Sequence, residues 1–209
     1  MFPGRDGITG LILAGGDGQR IGGGGKALLS LDGRSLLEHV RRRLEPQTCG
    51  IMLAVHGDRE ALIPFCGDCM VVVDSRMPRQ GPMAGLEAAL KTVTTDWLLS
   101  VPVDVPFFPM DLAQRLFSEA KGGESPVIAV NRGREHPVIA LWPKNIVGKI
   151  TMALDNNDRG LKYFLRHVSH VAVTFSDENN GVDPFFNINT REDLQWAEQW
   201  LHGVTVKPG

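Results

Sequence analysis

The chain has 209 residues, of which 43% are hydrophobic and 22% are charged, and its formal net charge is −2. This length and composition suit one globular domain with a substantial core. A charge so close to zero excludes a strong positive field and argues against nucleic acid or a membrane surface as the partner. There is no apolar run of membrane-spanning length and no signal-peptide pattern, so we expect a cytoplasmic protein.

Apolar runs alternate with helical patterns from the first strand onwards. The runs predict strands over residues 8–14, 51–55, 70–73, 97–101, 127–130, 138–142 and 171–175. Helices are predicted over residues 35–44, 58–65, 82–93, 111–121, 145–154, 161–167 and 190–201. Ser35 and Glu38 have the form of a capping box, and we expect Asp111 and Thr190 to cap their helices. A polar loop over residues 131–137, which includes His136, is predicted between two of the strands.

This alternation predicts an α/β fold: a Rossmann-like, mostly parallel sheet with helices on both faces. We find no linker that would divide the chain, so residues 1–209 are expected to form a single domain. Ligands of open sheets bind at the carboxyl ends of the strands. A glycine-rich loop, Asp74 and Asp104 all follow predicted strands and therefore belong to that edge.

The glycine-rich loop between Leu13 and Lys26 differs from two known phosphate-binding templates. The P-loop pattern would require glycine at position 20 and serine or threonine at position 27, where the chain has Arg20 and Ala27. The dinucleotide pattern would require a glycine where Ile21 stands. The loop nevertheless has phosphate-binding chemistry, because glycines expose backbone N–H groups and Arg20 and Lys26 supply cations at either end.

The three cysteines do not indicate a disulfide framework. Cys66 and Cys69 form a C-x-x-C motif, but no second pair completes a zinc site, and the motif precedes a strand. We interpret them as thiols in a connecting loop.

Several segments together carry a resemblance to a known family. The pattern Leu13-Ala-Gly-Gly-x-x-x-Arg-Ile-Gly-x-x-x-Lys26 resembles the signature loop of nucleotidyltransferases that activate small molecules. More closely, the chain resembles the molybdenum cofactor guanylyltransferase family. The further segments that carry this resemblance are 26–36, 81–85 (GPMAG), 101–109 (VPVDVPFFP), 136–141 (HPVIAL) and 187–194.

The resemblance implies a fold of the nucleotide-diphospho-sugar transferase type and transfer of GMP from GTP to the terminal phosphate of molybdenum-molybdopterin. It implies Mg²⁺ as cofactor and transient contact with molybdoenzymes or their chaperones. The expected catalytic residues are Arg20, Lys26 and Asp104, with Asp104 as the metal ligand. The expected nucleotide-binding residues are Leu13, Ala14, Gly15, Gly16, Lys26, Asp74, Gly81, Gly85 and Asp104. The acceptor side is expected to use Arg159, Asn187 and Asn189, the two asparagines lying on one strand face.

Other functions remain open at this point. The family commonly has an asparagine after the second strand, where this chain has Ala54 or His56, so cytidylyl transfer to the same acceptor is an alternative. Another small-molecule nucleotidyltransferase, such as one acting on a sugar 1-phosphate, is a further alternative. A GTP-binding switch and a non-enzymatic chaperone that binds GTP or the pterin represent a different class.

Overall fold

The computed structural model describes residues 4–14, 25–55, 62–74, 76, 81–121, 123–177 and 182–203. Most of the glycine-rich loop, including Gly15, Gly16 and Arg20, lies outside these residues, as does His56. The predictions made for those four positions therefore stay predictions.

A seven-stranded sheet forms the centre of the molecule, in the order β5-β4-β1-β6-β8-β7-β9. Only β8 runs antiparallel to its neighbours, so the predicted mostly parallel sheet is confirmed. β2 and β3 form a separate antiparallel pair. The strands are β1 (Ile8–Leu13), β2 (Ser30–Leu31), β3 (Arg34–Ser35), β4 (Ile51–Val55), β5 (Met70–Val73), β6 (Trp97–Pro102), β7 (Val127–Asn131), β8 (Arg134–Pro143) and β9 (Val171–Thr174).

Helices cover both faces of the sheet, as predicted. Successive residues of a strand point to opposite faces, so Ile12 packs with α1 and α4, whereas its neighbour Leu11 packs with α3, α5 and α6. α7 lies over the small β2-β3 pair and forms a third cluster with Phe107 and Ile188. The helices are α1 (Leu36–Leu44), α2 (Ile63–Cys66), α3 (Pro82–Thr92), α4 (Leu112–Ala120), α5 (Val147–Asp155), α6 (Leu161–Leu165) and α7 (Arg191–Leu201).

The helix caps agree with the sequence at two of three positions. Ser35 accepts a hydrogen bond from the Glu38 N–H, although the Glu38 carboxylate lies near Arg34 and Arg42 rather than completing a capping box. Thr190 forms a full capping box with Asp193. The prediction for Asp111 is wrong: it precedes α4, but its side chain makes no cap hydrogen bond.

The predicted polar loop over residues 131–137 is also wrong, because most of it belongs to a β-hairpin. β7 and β8 are joined by only Arg132 and Gly133, which both have positive φ (49° and 72°). Such two-residue turns usually carry Asn-Gly or Asp-Gly, so the Arg-Gly pair gave no hairpin signal. His136 consequently lies in β8. Since β8 is antiparallel, its first residues lie at the same sheet edge as the carboxyl ends of β1, β4, β5 and β6.

The C-x-x-C motif is not wholly in a loop, because Cys66 is the last residue of α2 and is buried. Burial raises the pKa of the Cys69 thiol to about 11, so it is protonated at neutral pH.

Across the described residues, no three His, Cys, Asp or Glu side chains are grouped so that they could hold a metal ion. Within the same part of the chain, none of the helices combines the length and apolar character needed to cross a membrane.

Gly10 of β1 is required by close packing, so we expect Gly10→Ala to destabilise the fold. A Cβ atom at this position would lie 2.5 Å from Cδ2 of the fully buried Leu44. Displacing a packed core side chain costs about 1–3 kcal/mol, and the Tm in thermal unfolding should fall accordingly. The matched control is Gly148→Ala in α5, where a Cβ meets no atom within 4 Å and alanine favours the helix. An equal Tm for the two variants would contradict this packing argument.

Candidate active site at the carboxyl edge of the sheet

A cavity of about 250 Å³ opens at the edge where the parallel strands end. It lies between the ends of β1, β4 and β6 and the start of α3. Seven of the residues that the sequence assigned to the site line it: Leu13, Lys26, Asp74, Gly81, Gly85, Asp104 and Asn187. These residues are scattered along the chain from position 13 to position 187, and the sheet edge brings them together.

Asp104 and Lys26 form the charged centre of this cavity. Lys26 Nζ donates to Asp104 Oδ2 at 2.5 Å, and the two side chains are only 13% and 17% exposed, respectively. The backbone around the carboxylate is fixed: the N–H of Val103 donates to the carbonyl of Leu13, and that of Ile188 to the carbonyl of Asp104. Asp104 Oδ1 is buried and has no hydrogen-bond partner among the described residues. A buried carboxylate oxygen without a donor is costly, so this atom is suited to a cation.

Lys26 also holds the segment that precedes α7. Its Nζ donates to Oδ1 of Asn187 at 3.2 Å and to Oδ1 of Asn189 at 2.5 Å. Contrary to our expectation, these asparagines do not lie on a strand. They converge because both amides bind the same ammonium group, and because the N–H of Asn189 donates to the Asp193 carboxylate at the start of α7.

Asp74 follows β5 directly, and its backbone N–H donates to the carbonyl of Val55. Its carboxylate is almost fully buried and accepts a 2.9 Å hydrogen bond from the N–H of Arg76, two residues along the chain. Asp74 thus shapes a local turn and lines the cavity at the same time.

The two glycines of the GPMAG segment are each required for a different structural reason. Gly81 precedes α3 and has φ 69°, a backbone conformation that residues other than glycine rarely adopt. Gly85 lies inside α3, in agreement with the helix predicted over residues 82–93. A Cβ at Gly85 would lie 3.1 Å from the Cβ of Ala54 and 3.2 Å from Cδ2 of Leu13, so glycine lets α3 pack closely on β1 and β4.

A second cavity, of about 400 Å³, adjoins the first and shares Pro102, Val138 and Asn187 with it. It is lined by the start of β8 and by Asp183, Phe185, Phe186, Asn187 and Asn189. His136 lies here, with its ring centroid 4.9 Å from that of Phe185. Burial is the main cause that lowers the pKa of His136, so the imidazole is neutral at pH 7.

Comparisons with known proteins decide the family. The model of the MobA-like NTP transferase domain matches residues 10–173. A molybdenum cofactor guanylyltransferase from Acidiphilium cryptum is 38% identical over 91% of this chain and 94% of its own length. One from Rhizobium johnstonii is 39% identical over 94% of both chains. The chain belongs to the molybdenum cofactor guanylyltransferase family.

Members of this family are nucleotidyltransferases, and the solved structures agree on the fold. A molybdopterin-guanine dinucleotide biosynthesis protein A from Archaeoglobus fulgidus superposes with a TM-score of 0.77, at 23% identity, over 93% of this chain and 99% of its own. A Mycobacterium tuberculosis protein crystallised in complex with manganese gives a TM-score of 0.67 at 16% identity, over 92% of this chain and 98% of its own. The nucleotide-diphospho-sugar transferase type of fold is thereby confirmed.

The resemblance assigned Arg159 to the acceptor side, whereas Ala54 was named as a departure from the family pattern. Arg159 is exposed, donates two hydrogen bonds to Asn157 Oδ1, and lines neither of the two cavities. The structure therefore does not bring it to Asn187 and Asn189. Ala54, close to the position where the family commonly has asparagine, does line the first cavity.

The sequence analysis missed an ionic network beside Asp74, which is centred on the buried Glu87. Glu87 of α3, only 4% exposed, receives Arg76 Nε at 2.6 Å and Nη2 at 2.7 Å. Lys91 Nζ and Thr151 Oγ1 donate to the same carboxylate, each at 2.7 Å, and Arg76 Nη1 reaches Asp155 at 2.7 Å. A signal was present, since Glu87 follows Met83 by four residues and precedes Leu90 by three, on the apolar stripe of α3. A carboxylate on such a stripe needs a buried cation.

Because of this network, the free energy of unfolding depends on pH in the acid range. Its hydrogen bonds, Arg76 first among them, lower the pKa of Glu87 from 4.5 to about 2. A carboxyl with a depressed pKa stabilises the fold fully above the unfolded value of 4.5, and this contribution is lost as the pH falls towards 2. The free energy of unfolding should therefore fall less steeply between pH 5 and 2 in Glu87→Gln than in the unchanged chain. Urea unfolding across this range tests it, with the exposed Glu119→Gln as control; identical slopes in all three proteins would refute the assignment.

Proposed function

We propose that this protein transfers GMP from GTP to the terminal phosphate of molybdenum-molybdopterin and releases pyrophosphate. The observation that carries the proposal is the Asp104–Lys26 pair in the cavity, where Asp104 Oδ1 is buried without a hydrogen-bond donor from the described residues. The names of the relatives support the reaction class and the two substrates.

The chemistry of the cavity fits a bound divalent cation, and we assign Mg²⁺ to Asp104 Oδ1. A hard cation prefers oxygen ligands, and Mg²⁺ is commonly held by one or two carboxylates together with phosphate oxygens and water. When bound, it would neutralise charge on the α-phosphate and the leaving pyrophosphate. No group of three acids surrounds Asp104 in the parts of the chain that the structure describes, so the remaining ligands should come from the nucleotide and solvent.

The other residues of this cavity then divide between the two ends of GTP. Lys26 Nζ, held by Asp104 and the two asparagines, is placed to neutralise the triphosphate. We assign Arg20 and Gly16 to the same phosphates, with the backbone of Leu13, Ala14 and Gly15 beside the base and ribose. We assign Asp74, Gly81 and Gly85, which line the same cavity, to the base, because a carboxylate can accept hydrogen bonds from the N–H groups of guanine.

The second cavity is our candidate for the acceptor, because Asn187 borders both cavities. A pterin there could stack against the neutral His136 or Phe185 while its phosphate meets the nucleotide near Asn187 and Asn189. The attacking phosphate is already ionised at neutral pH, so His136 need not act as a base. Arg159 is left without an acceptor role.

The test supplies purified protein with Mg²⁺, molybdenum-loaded molybdopterin and each of the four nucleoside triphosphates in turn. We expect release of pyrophosphate with GTP only, and only when the acceptor is present. Release with CTP instead would move the protein to cytidylyl transfer. Hydrolysis of GTP to GDP without acceptor, or binding of pterin without any turnover, would replace the proposal with a switch or a chaperone.

A further inference from the structure

The ionic network beside Asp74 connects one wall of the first cavity to two helices. Arg76 contributes its backbone N–H to the Asp74 carboxylate and its guanidinium to Glu87 of α3 and Asp155 of α5. One residue therefore joins the end of β5 to α3 and α5, two of the three helices that pack on this face of the sheet.

The guanidinium of Arg76 is already engaged by carboxylates, so we do not assign Arg76 as a ligand of phosphate. Three of its guanidinium nitrogens each donate to a carboxylate oxygen, two to Glu87 and one to Asp155. The side chain is 20% exposed, and Arg76 is not among the residues that line the first cavity. We infer that its influence on a ligand passes through its neighbours, and among its described hydrogen-bond partners Asp74 is the one that lines the cavity.

The geometry at Asp74 indicates what that influence is. A carboxylate recognises a base edge only when its plane is held, because two parallel hydrogen bonds require both oxygens at fixed positions. The N–H of Arg76 fixes one oxygen of Asp74 at 2.9 Å. The paired hydrogen bonds between the Arg76 guanidinium and Glu87, which is buried in α3, restrain the residue that carries this N–H.

We propose that Arg76, anchored by Glu87 and Asp155, is a positioning residue that orients the Asp74 carboxylate and thereby sets the preference of the site for one nucleobase. This inference rests on the proposed function, in which Asp74 contacts the base. It predicts that loss of Arg76 affects base discrimination and leaves the affinity for the triphosphate group in place.

The experiment measures by calorimetry the Kd of each of the four nucleoside triphosphates, with Mg²⁺ and without acceptor, for the unchanged chain and for Arg76→Ala. The Kd for GTP should rise about tenfold to a hundredfold, the size expected for disturbed hydrogen bonds to a charged group. The Kd values of the other three nucleotides should change less than threefold. Arg41→Ala, which removes an arginine of α1 that pairs with Glu45, is the matched control and should leave all four values unchanged.

A double-variant cycle tests whether Arg76 acts through Asp74. Asp74→Asn alone should lose the same base preference, and Asp74→Asn combined with Arg76→Ala should be no worse than Asp74→Asn by itself. Additive losses in the double variant would overturn the inference, because they would mean that Arg76 contacts the nucleotide independently.

The outcomes separate this inference from the function on which it rests. If the unchanged chain binds no nucleoside triphosphate, the proposed function fails and the inference fails with it. If it binds GTP preferentially and Arg76→Ala keeps that preference, or weakens all four nucleotides equally, only the inference fails. Should Arg76→Ala not fold, Glu87→Gln removes the buried anchor at nearly constant volume, and the same loss of GTP preference is expected from it.

Discussion

Asp104→Asn is expected to lower kcat/KM for GTP about 1000-fold, because it removes the carboxylate that we assign to the cation. The amide keeps the size of the side chain but removes the negative charge from the buried Oδ1 position, which has no donor among the described residues. The cation would lose its protein anchor, and the stabilisation that a metal gives to charge developing on phosphates amounts to several kcal/mol. A 1000-fold loss corresponds to about 4 kcal/mol in the activation free energy.

Steady-state kinetics across a range of Mg²⁺ concentrations checks this result. Added Mg²⁺ should recover part of the activity of Asp104→Asn, because weakened binding of the cation can be offset by its concentration. The control is Asp111→Asn, an exposed aspartate whose side chain caps no helix, and it should keep full activity. Near-normal turnover of Asp104→Asn at low Mg²⁺ would remove Asp104 from the metal site.

Lys26→Ala should have a smaller effect, a fall in kcat of about 100-fold together with a raised KM for GTP. The ammonium group is the cation nearest Asp104 among the described residues, and loss of one preorganised donor to a charged transition state commonly costs about 100-fold to 1000-fold. The substitution also frees Asn187 and Asn189, which Lys26 holds beside the second cavity. The KM for the pterin acceptor should therefore rise as well.

Single-turnover kinetics with saturating GTP separates the chemical step from binding in this variant. Lys26→Arg should recover little activity, because the compact ammonium donates to three side-chain oxygens from one point, and a planar guanidinium cannot reproduce that arrangement. Lys149→Ala, which removes an exposed lysine of α5, provides the control. An unchanged rate of the chemical step in Lys26→Ala would exclude its role at the leaving group.

The order of strands and helices could be predicted from the sequence because each element carries its own local signal. The period of two or 3.6 in apolar residues is set by the geometry of the backbone, so β1, β4, β5 and β6 were found within one or two residues. The same strand ends predicted that Asp74 and Asp104 lie at one edge of the sheet. The family was inferred from several segments spread along the chain, and the comparisons confirm that family.

The arrangement of the side chains was decided by the tertiary structure, because it depends on contacts between residues far apart in the chain. No local pattern states that Lys26 binds Asn187 and Asn189, more than 160 residues away. The hairpin at Arg132 and Gly133 was missed for a related reason: pairing of β7 with β8 imposes a positive φ on Arg132, which arginine does not favour by itself.

By itself, then, the sequence determined the fold class, the edge of the sheet where the site lies, and the family. Only the tertiary structure placed Asp104 Oδ1 out of reach of donors in the described residues, and only it paired Arg76 with Glu87. The physical reason is that periodicity and turn preferences act over a few residues, whereas burial and charge pairing depend on which elements pack together.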